Sequence, residues 1–148
     1  MTIDLLFSLC NNAVLPAWLL LVFLPRWKWT VSLICSVLLP LLLATVYLGL
    51  FVSQIDTMFS GGGFGSIQSI SELFQNPYLL TMGWVHYLAF DLFIGTWQVR
   101  DAQREGIPHW AVVPCLLLTF MLGPIGLGSY LVLRMAWTRK FLLHQAMV

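Results

Sequence analysis

Charge is what this sequence has least of. Only 9% of its 148 residues are Asp, Glu, Lys or Arg, against 59% hydrophobic, whereas a soluble domain carries about 25% charged residues. With a mean hydropathy of +0.87, the chain has too few polar side chains to keep a water-facing surface, and it reads as an integral membrane protein. Its net charge of +1 supplies no basic stripe, which excludes nucleic acid as a partner. Cysteine is scarce too: Cys10, Cys35 and Cys115 are an odd number without CxxC spacing, and read as free apolar thiols rather than a disulfide frame. No phosphate loop, zinc-protease motif, dinucleotide fingerprint or Cys and His cluster occurs. Three histidines and six acids, mostly in loops, are too few for a di-iron centre, which takes about six carboxylate and histidine ligands. No metal site is expected. The opening MTIDLLF lacks the positive region of a cleaved leader, so the first apolar run is expected to be a retained helix.

What is abundant is long apolar sequence. A helix needs about 20 mainly apolar residues to cross a hydrocarbon core about 30 Å thick, and four stretches qualify, at about 5–24, 31–52, 78–99 and 110–133. The expected fold is all-α: one domain, 1–148, forming a four-helix transmembrane bundle. PRWKW and RDAQREGIPH are its two short turns. Between the two hairpins, SQIDTMFSGGGFGSIQSISELFQNP is too polar to span. GGGFG reads as a linker. Ile67, Ile70 and Phe74 at helical spacing, with Ser69 and Glu72 as a capping box, predict a short interfacial helix over about 66–75; an irregular loop is the alternative. Four spans put both termini on one side. Arg26, Lys28, Arg100 and Arg104 then stand on the turn side against Arg134, Arg139 and Lys140 on the terminal side, a small excess that leans toward cytoplasmic turns. The tryptophans cluster near the span boundaries, as an aromatic belt requires.

The stretch WVHYLAFDLFIGTW, residues 84–97, carries the chemistry. An ionised aspartate at the bilayer centre costs about 2.5 to 3.5 kcal/mol on insertion scales, so Asp91 is expected to face protein or a water-filled cavity. At 100° per residue, Trp84, Tyr87, Asp91, Gly95 and Gln98 share one stripe, while His86 points well away from Asp91. The two are therefore not one ligand pair, although both can border one cavity. Gly95 lets a helix or ligand approach closely. Asp91 bonded only to Asn12 or Tyr87, as packing glue, is the competing structural reading. In the first helix, Asn11, Asn12 and Pro16 place polar groups within the membrane, where asparagine needs an internal partner and proline frees a carbonyl. In the last, LGPIGLGSY predicts a kinked, closely packed helix. Arg134 is expected to snorkel, and Arg100 and Asp101 to form an exposed pair of little worth.

Three segments, NNAVLPAWLLLVFLPRW, NPYLLTMGWVHYLAFDLFIGTWQVRDAQREGIPH and LTFMLGPIGLGSYLVLR, resemble the abscisic-acid-deficient-four-like membrane proteins, a family that includes the plant plastid protein needed to make neoxanthin from violaxanthin. The resemblance covers nearly the whole chain and is most specific from Trp84 to Asp101. It implies a small four-helix protein of carotenoid metabolism in an inner or photosynthetic membrane, with a carotenoid or other isoprenoid as ligand. The implied reaction, an epoxide opening to an allenic alcohol, is redox-neutral and its stoichiometry demands no redox cofactor. It needs a base, an acid and an apolar slot. Asp91 is a sufficient base and His86 or Tyr87 a sufficient acid, with Asn12, Trp84, Phe90, Phe93, Gly95 and Trp97 as substrate-binding candidates. Two other readings stay open: a pigment-binding or assembly subunit supporting a partner membrane enzyme, and a small transporter, which would require a homo-oligomer.

Overall fold

The computed structural model describes residues 2–60 and 64–139, and these are helical, with no strand among them. Seven helices follow in order: α1 (Ile3–Phe23), α2 (Thr30–Ser53), α3 (Ile55–Ser60), α4 (Ile67–Leu73), α5 (Pro77–Glu105), α6 (His109–Leu122) and α7 (Pro124–Thr138). Three of them, α1, α2 and α5, are long and apolar enough to cross a bilayer. Gly61–Gly63 of the expected linker and Lys140 lie outside the described residues.

Local chemistry accounts for most boundaries. Thr2 caps α1 by accepting from the Leu5 amide, and Pro25 ends it, because the residue before a proline is pushed out of helical geometry; Leu24 has φ −127° and ψ 47°. The first part of α2, Thr30–Leu38, is wound as a π-helix. Pro40 cannot donate to the Ser36 carbonyl one turn earlier, and the Ser36 hydroxyl turns back to the Val31 carbonyl. At its start, α5 is capped by Asn76, whose side chain accepts from the Tyr78 amide, and at its end by Gly106 in the left-handed region at φ +70°. RDAQRE, expected as part of a turn, thus prolongs α5 past residue 99: it holds neither glycine nor proline, and nothing stops the helix before Gly106.

The fourth apolar stretch departs most from expectation. It is not one kinked span but two helices folded back on each other at Gly123 and Pro124. Gly123 has φ +37° and ψ −90°, and Pro124 has no amide to continue the ladder. Were α7 to run on from α6, Arg134 would lie about 16 Å beyond Gly123, at the far end of α5. Instead Tyr130 and Arg134 reach Asp101, and Arg134 also reaches Glu105, so α7 returns to the end of the bundle where α6 began. With 14 residues, α6 is about 21 Å long, too short to cross a core of about 30 Å. A hairpin with both feet at one end of the bundle stands where a single continuous fourth helix was expected.

The described ends of the chain consequently stand at opposite ends of the bundle, not at the same end as four continuous helices would place them. Ile3 packs among Leu50, Met58, Leu73, Leu79 and Met82 at one end of the bundle, and Thr138 closes α7 at the other. The segment after α2 contributes to that first end: a short helix, α4, forms where one was expected, and its Leu73 is buried in the same small core. Its cap is not Ser69 with Glu72, however. Ser66 caps it, accepting from the Ser69 amide at 3.1 Å, while Glu72 accepts from Gln68. In the main core α5 is central, packed by α1, α2, α6 and α7, and Cys10, Cys35 and Cys115 are buried as free thiols.

Candidate functional site

The stripe of α5 that contains Asp91 meets a different element at almost every step. Trp84 Nε1 donates to Asn11 Oδ1 of α1 at 2.9 Å. Tyr87 Oη donates to the Phe120 carbonyl of α6 at 3.1 Å. Asp91 abuts the hairpin apex: a methyl group on Gly123 would stand 3.0 Å from Oδ1 and 3.2 Å from Oδ2. Gly95 accommodates the Trp18 ring of α1, which a side chain there would strike. Gln98 clamps the two arms of the hairpin, donating to Thr119 Oγ1 at 2.9 Å and the Gly126 carbonyl at 3.3 Å.

Asp91 is the centre of this arrangement. Its Oδ2 is buried and has no hydrogen-bond partner. The hydroxyl of Tyr87, one turn away, interacts with it electrostatically. The first turn of α7 starts beside it, and a helix N-terminus favours a nearby negative charge by about 0.3 to 1 kcal/mol, up to about 2 when partly buried. The carboxylate thus keeps an unfilled acceptor oxygen close to the Tyr87 hydroxyl, whose hydrogen bond is given to the Phe120 carbonyl.

The remaining candidates disperse. His86 sits on another face of α5, against the rings of Tyr47 at 6.0 Å and Phe90 at 4.5 Å, with no contact to Asp91. Asn12 is exposed, and the polar partner supplied by α1 is its neighbour Asn11. Trp84 stays near the centre, with its ring against Phe7 and Tyr87. Phe90 and Phe93 are exposed on the outside of α5, and Trp97 packs edge-on against Tyr130 at 5.5 Å. These three do not form an enclosed slot. An apolar groove of about 370 Å³ opens instead between α1 and α6, lined by Leu15, Trp18, Leu19, Val22, Phe23, Leu117 and Phe120. It reaches the centre through Phe120, whose carbonyl holds Tyr87. Among the described residues no three His, Cys, Asp or Glu side chains gather as a metal site.

At the other end of α5, Arg134 neither snorkels nor stands free. It is 1% exposed; Nε donates to Asp101 Oδ2 at 2.8 Å and Nη2 to Glu105 Oε1 at 3.1 Å. Tyr130 donates to the same Asp101 oxygen at 2.7 Å. The expected surface pair of Arg100 with Asp101 does not form: Asp101 belongs instead to this buried cluster, with Arg104 at its rim 3.6 Å away.

The family model described as ABA DEFICIENT 4-like matches residues 5–130. The chain belongs to the ABA DEFICIENT 4-like family. Comparison with curated proteins and with solved structures finds no match. Membership ties the chain to carotenoid and abscisic-acid related membrane proteins. The family segment includes α1 from Leu5 onward, Asp91 and the hairpin apex, and stops short of Arg134. Sequence reasoning missed Gly123, Thr119 and Phe120. The one available signal was Gly123-Pro124, a pair suited to reversing a chain as well as to kinking it.

Proposed function

We propose that this member of the ABA DEFICIENT 4-like family is an intramembrane enzyme that rearranges a carotenoid or related isoprenoid by acid and base catalysis at Asp91 and Tyr87. The observation that carries the reading is the buried, unpartnered Oδ2 of Asp91 beside Tyr87 at the hairpin apex. For an epoxide substrate the step balances without an oxidant. Asp91 takes the proton from the carbon next to the epoxide, the electron pair forms the new double bond, and the epoxide C–O bond breaks. Its oxygen receives a proton from Tyr87. Passage of the proton from Asp91 back to Tyr87 restores both groups. The groove between α1 and α6 suits the polyene, because it is apolar along its length and ends at the Phe120 carbonyl that orients Tyr87. His86 has no part in this reading.

A pigment-binding subunit without turnover is the second reading, favoured by the same groove. Asp91→Asn separates them: loss of product with the polyene still bound supports the enzyme, and undiminished conversion removes Asp91 as the base.

The same proposal includes an orientation. Arg26, Lys28, Arg100, Arg104, Arg134 and Arg139 all belong to the end of the bundle that holds the short turns and the feet of the hairpin, while Asp4, Asp56 and Glu72 belong to the other. Under the positive-inside rule, the cationic end faces the cytoplasm or its plastid counterpart, and the segment between α2 and α5 faces the opposite compartment.

A further inference from the structure

At the cationic end, the π-helical part of α2 and the last turns of α5 leave a groove of about 220 Å³ lined by Ser36, Phe93, Thr96, Trp97, Arg100 and Arg104. Phe93, Trp97, Arg100 and Arg104 follow one another at offsets of four, three and four, so they form one stripe of α5. The groove is therefore graded, with two aromatic rings toward the membrane interior and two guanidinium groups toward the boundary.

The charges at this end do not balance within the chain. Both carboxylates there, Asp101 and Glu105, are engaged by the buried Arg134. Arg104 keeps only the 3.6 Å edge contact with Asp101 and is 59% exposed, and no described carboxylate lies within ion-pair distance of Arg100. Two like charges four residues apart on a helix destabilise it by a few tenths of a kcal/mol, unless an anion sits between them. The hydroxyls of Ser36 and Thr96 already donate to backbone carbonyls, so the free donors in the groove are the guanidinium forks, whose planar geometry matches phosphate oxygens. Phe93, Arg100 and Arg104 are exposed on the outside of α5, so the groove is open to the surroundings of the bundle.

We propose that the groove binds the phosphate of an anionic glycerophospholipid, with Arg100 and Arg104 on the phosphate oxygens and an acyl chain along Trp97 and Phe93. A phosphate attached to an apolar tail satisfies both ends of the groove at once. This site is separate from Asp91 and independent of what happens there.

The test uses the purified, delipidated full chain in a mild detergent, titrated with phosphatidylglycerol, phosphatidylcholine or inorganic phosphate and followed by native mass spectrometry. The expected result is a single phosphatidylglycerol adduct formed at least about tenfold more tightly than any phosphatidylcholine adduct, a difference of about 1.4 kcal/mol. Arg100→Gln with Arg104→Gln abolishes that preference, and Arg26→Gln, at the same end but outside the groove, retains it. Both arginines are exposed, so their loss leaves the core intact; Arg100→Gln alone provides a second, milder variant. Equal binding of the two lipids, or a double variant that binds phosphatidylglycerol like the wild type, overturns the proposal. Displacement of the lipid by millimolar inorganic phosphate overturns the lipid assignment, identifying a free-phosphate site instead.

Discussion

Gly126 lies against the backbone of Thr119, seven positions earlier in the chain, with no room between them for even one carbon. In a continuous helix such residues are about 10 Å apart along the axis. Their contact is the signature of the reversal at Gly123, and Gln98 ties both sides of it to α5.

A methyl group at Gly126 has nowhere to go. Gly126→Ala is expected to cost at least about 3 kcal/mol, the top of the ordinary range for overpacking, because the obstacle is backbone rather than a side chain that can turn. Gly128, two residues on, has open space around it, so Gly128→Ala should leave stability unchanged. Accumulation in membranes and thermal melting in detergent compare the pair.

The proposed orientation, with the hairpin returning to the end it started from, gives an odd number of crossings. Reporter tags before Ile3 and after Thr138, read in the same cells by protease protection, are expected on opposite sides, with the second tag cytoplasmic. Tags on one side would restore four spans and overturn the orientation.

At the centre, Asp91→Asn is expected to lower conversion of an epoxycarotenoid in a producing host by about 100-fold or more, and Tyr87→Phe by about 100-fold, the scale of positioned acid and base groups. His86→Gln should leave conversion near the wild-type level, since the ring faces Tyr47 and Phe90. Chromatography of host pigments, normalised to protein in the membrane, measures all three. Loss of activity in His86→Gln with Tyr87→Phe unaffected would reverse the choice of acid.

Arg134→Ala removes the one cation shared by Asp101 and Glu105 and leaves both in a buried setting. Breaking a buried pair in this way costs about 3 to 5 kcal/mol. The variant is expected to melt well below the wild type, whereas Arg139→Ala, at an exposed position, should not. Equal melting of the two would mean that the cluster is solvated.

How much of this was readable in the sequence follows from what each signal depends on. The spans α1, α2 and α5 depend on apolar length, a local property, and their bounds agree with expectation within two residues except at the end of α5, which runs on from 99 to Glu105. The stripe from Trp84 to Gln98 depends only on helical periodicity, and it is the face that α1 and the hairpin cover. The separation of His86 from Asp91 was likewise a matter of angle. What was not readable depended on partners distant in sequence. Whether LGPIGLGSY bends or reverses is decided by the anchoring of Tyr130 and Arg134 on Asp101, about thirty residues earlier, and no local pattern encodes that pairing. The same gap explains Phe90 and Phe93, whose aromatic character suits a slot or lipid equally well.

The hairpin also bears on how the protein is made. Both of its feet stand at the end that holds the short turns, so in the proposed orientation nothing from Gly106 to Thr138 has to be carried through the bilayer once α5 has crossed. Its apolar arms can slide in from one side against a three-helix scaffold already in place. On this route the surroundings of Asp91 are completed last, when the Gly123 turn arrives beside it.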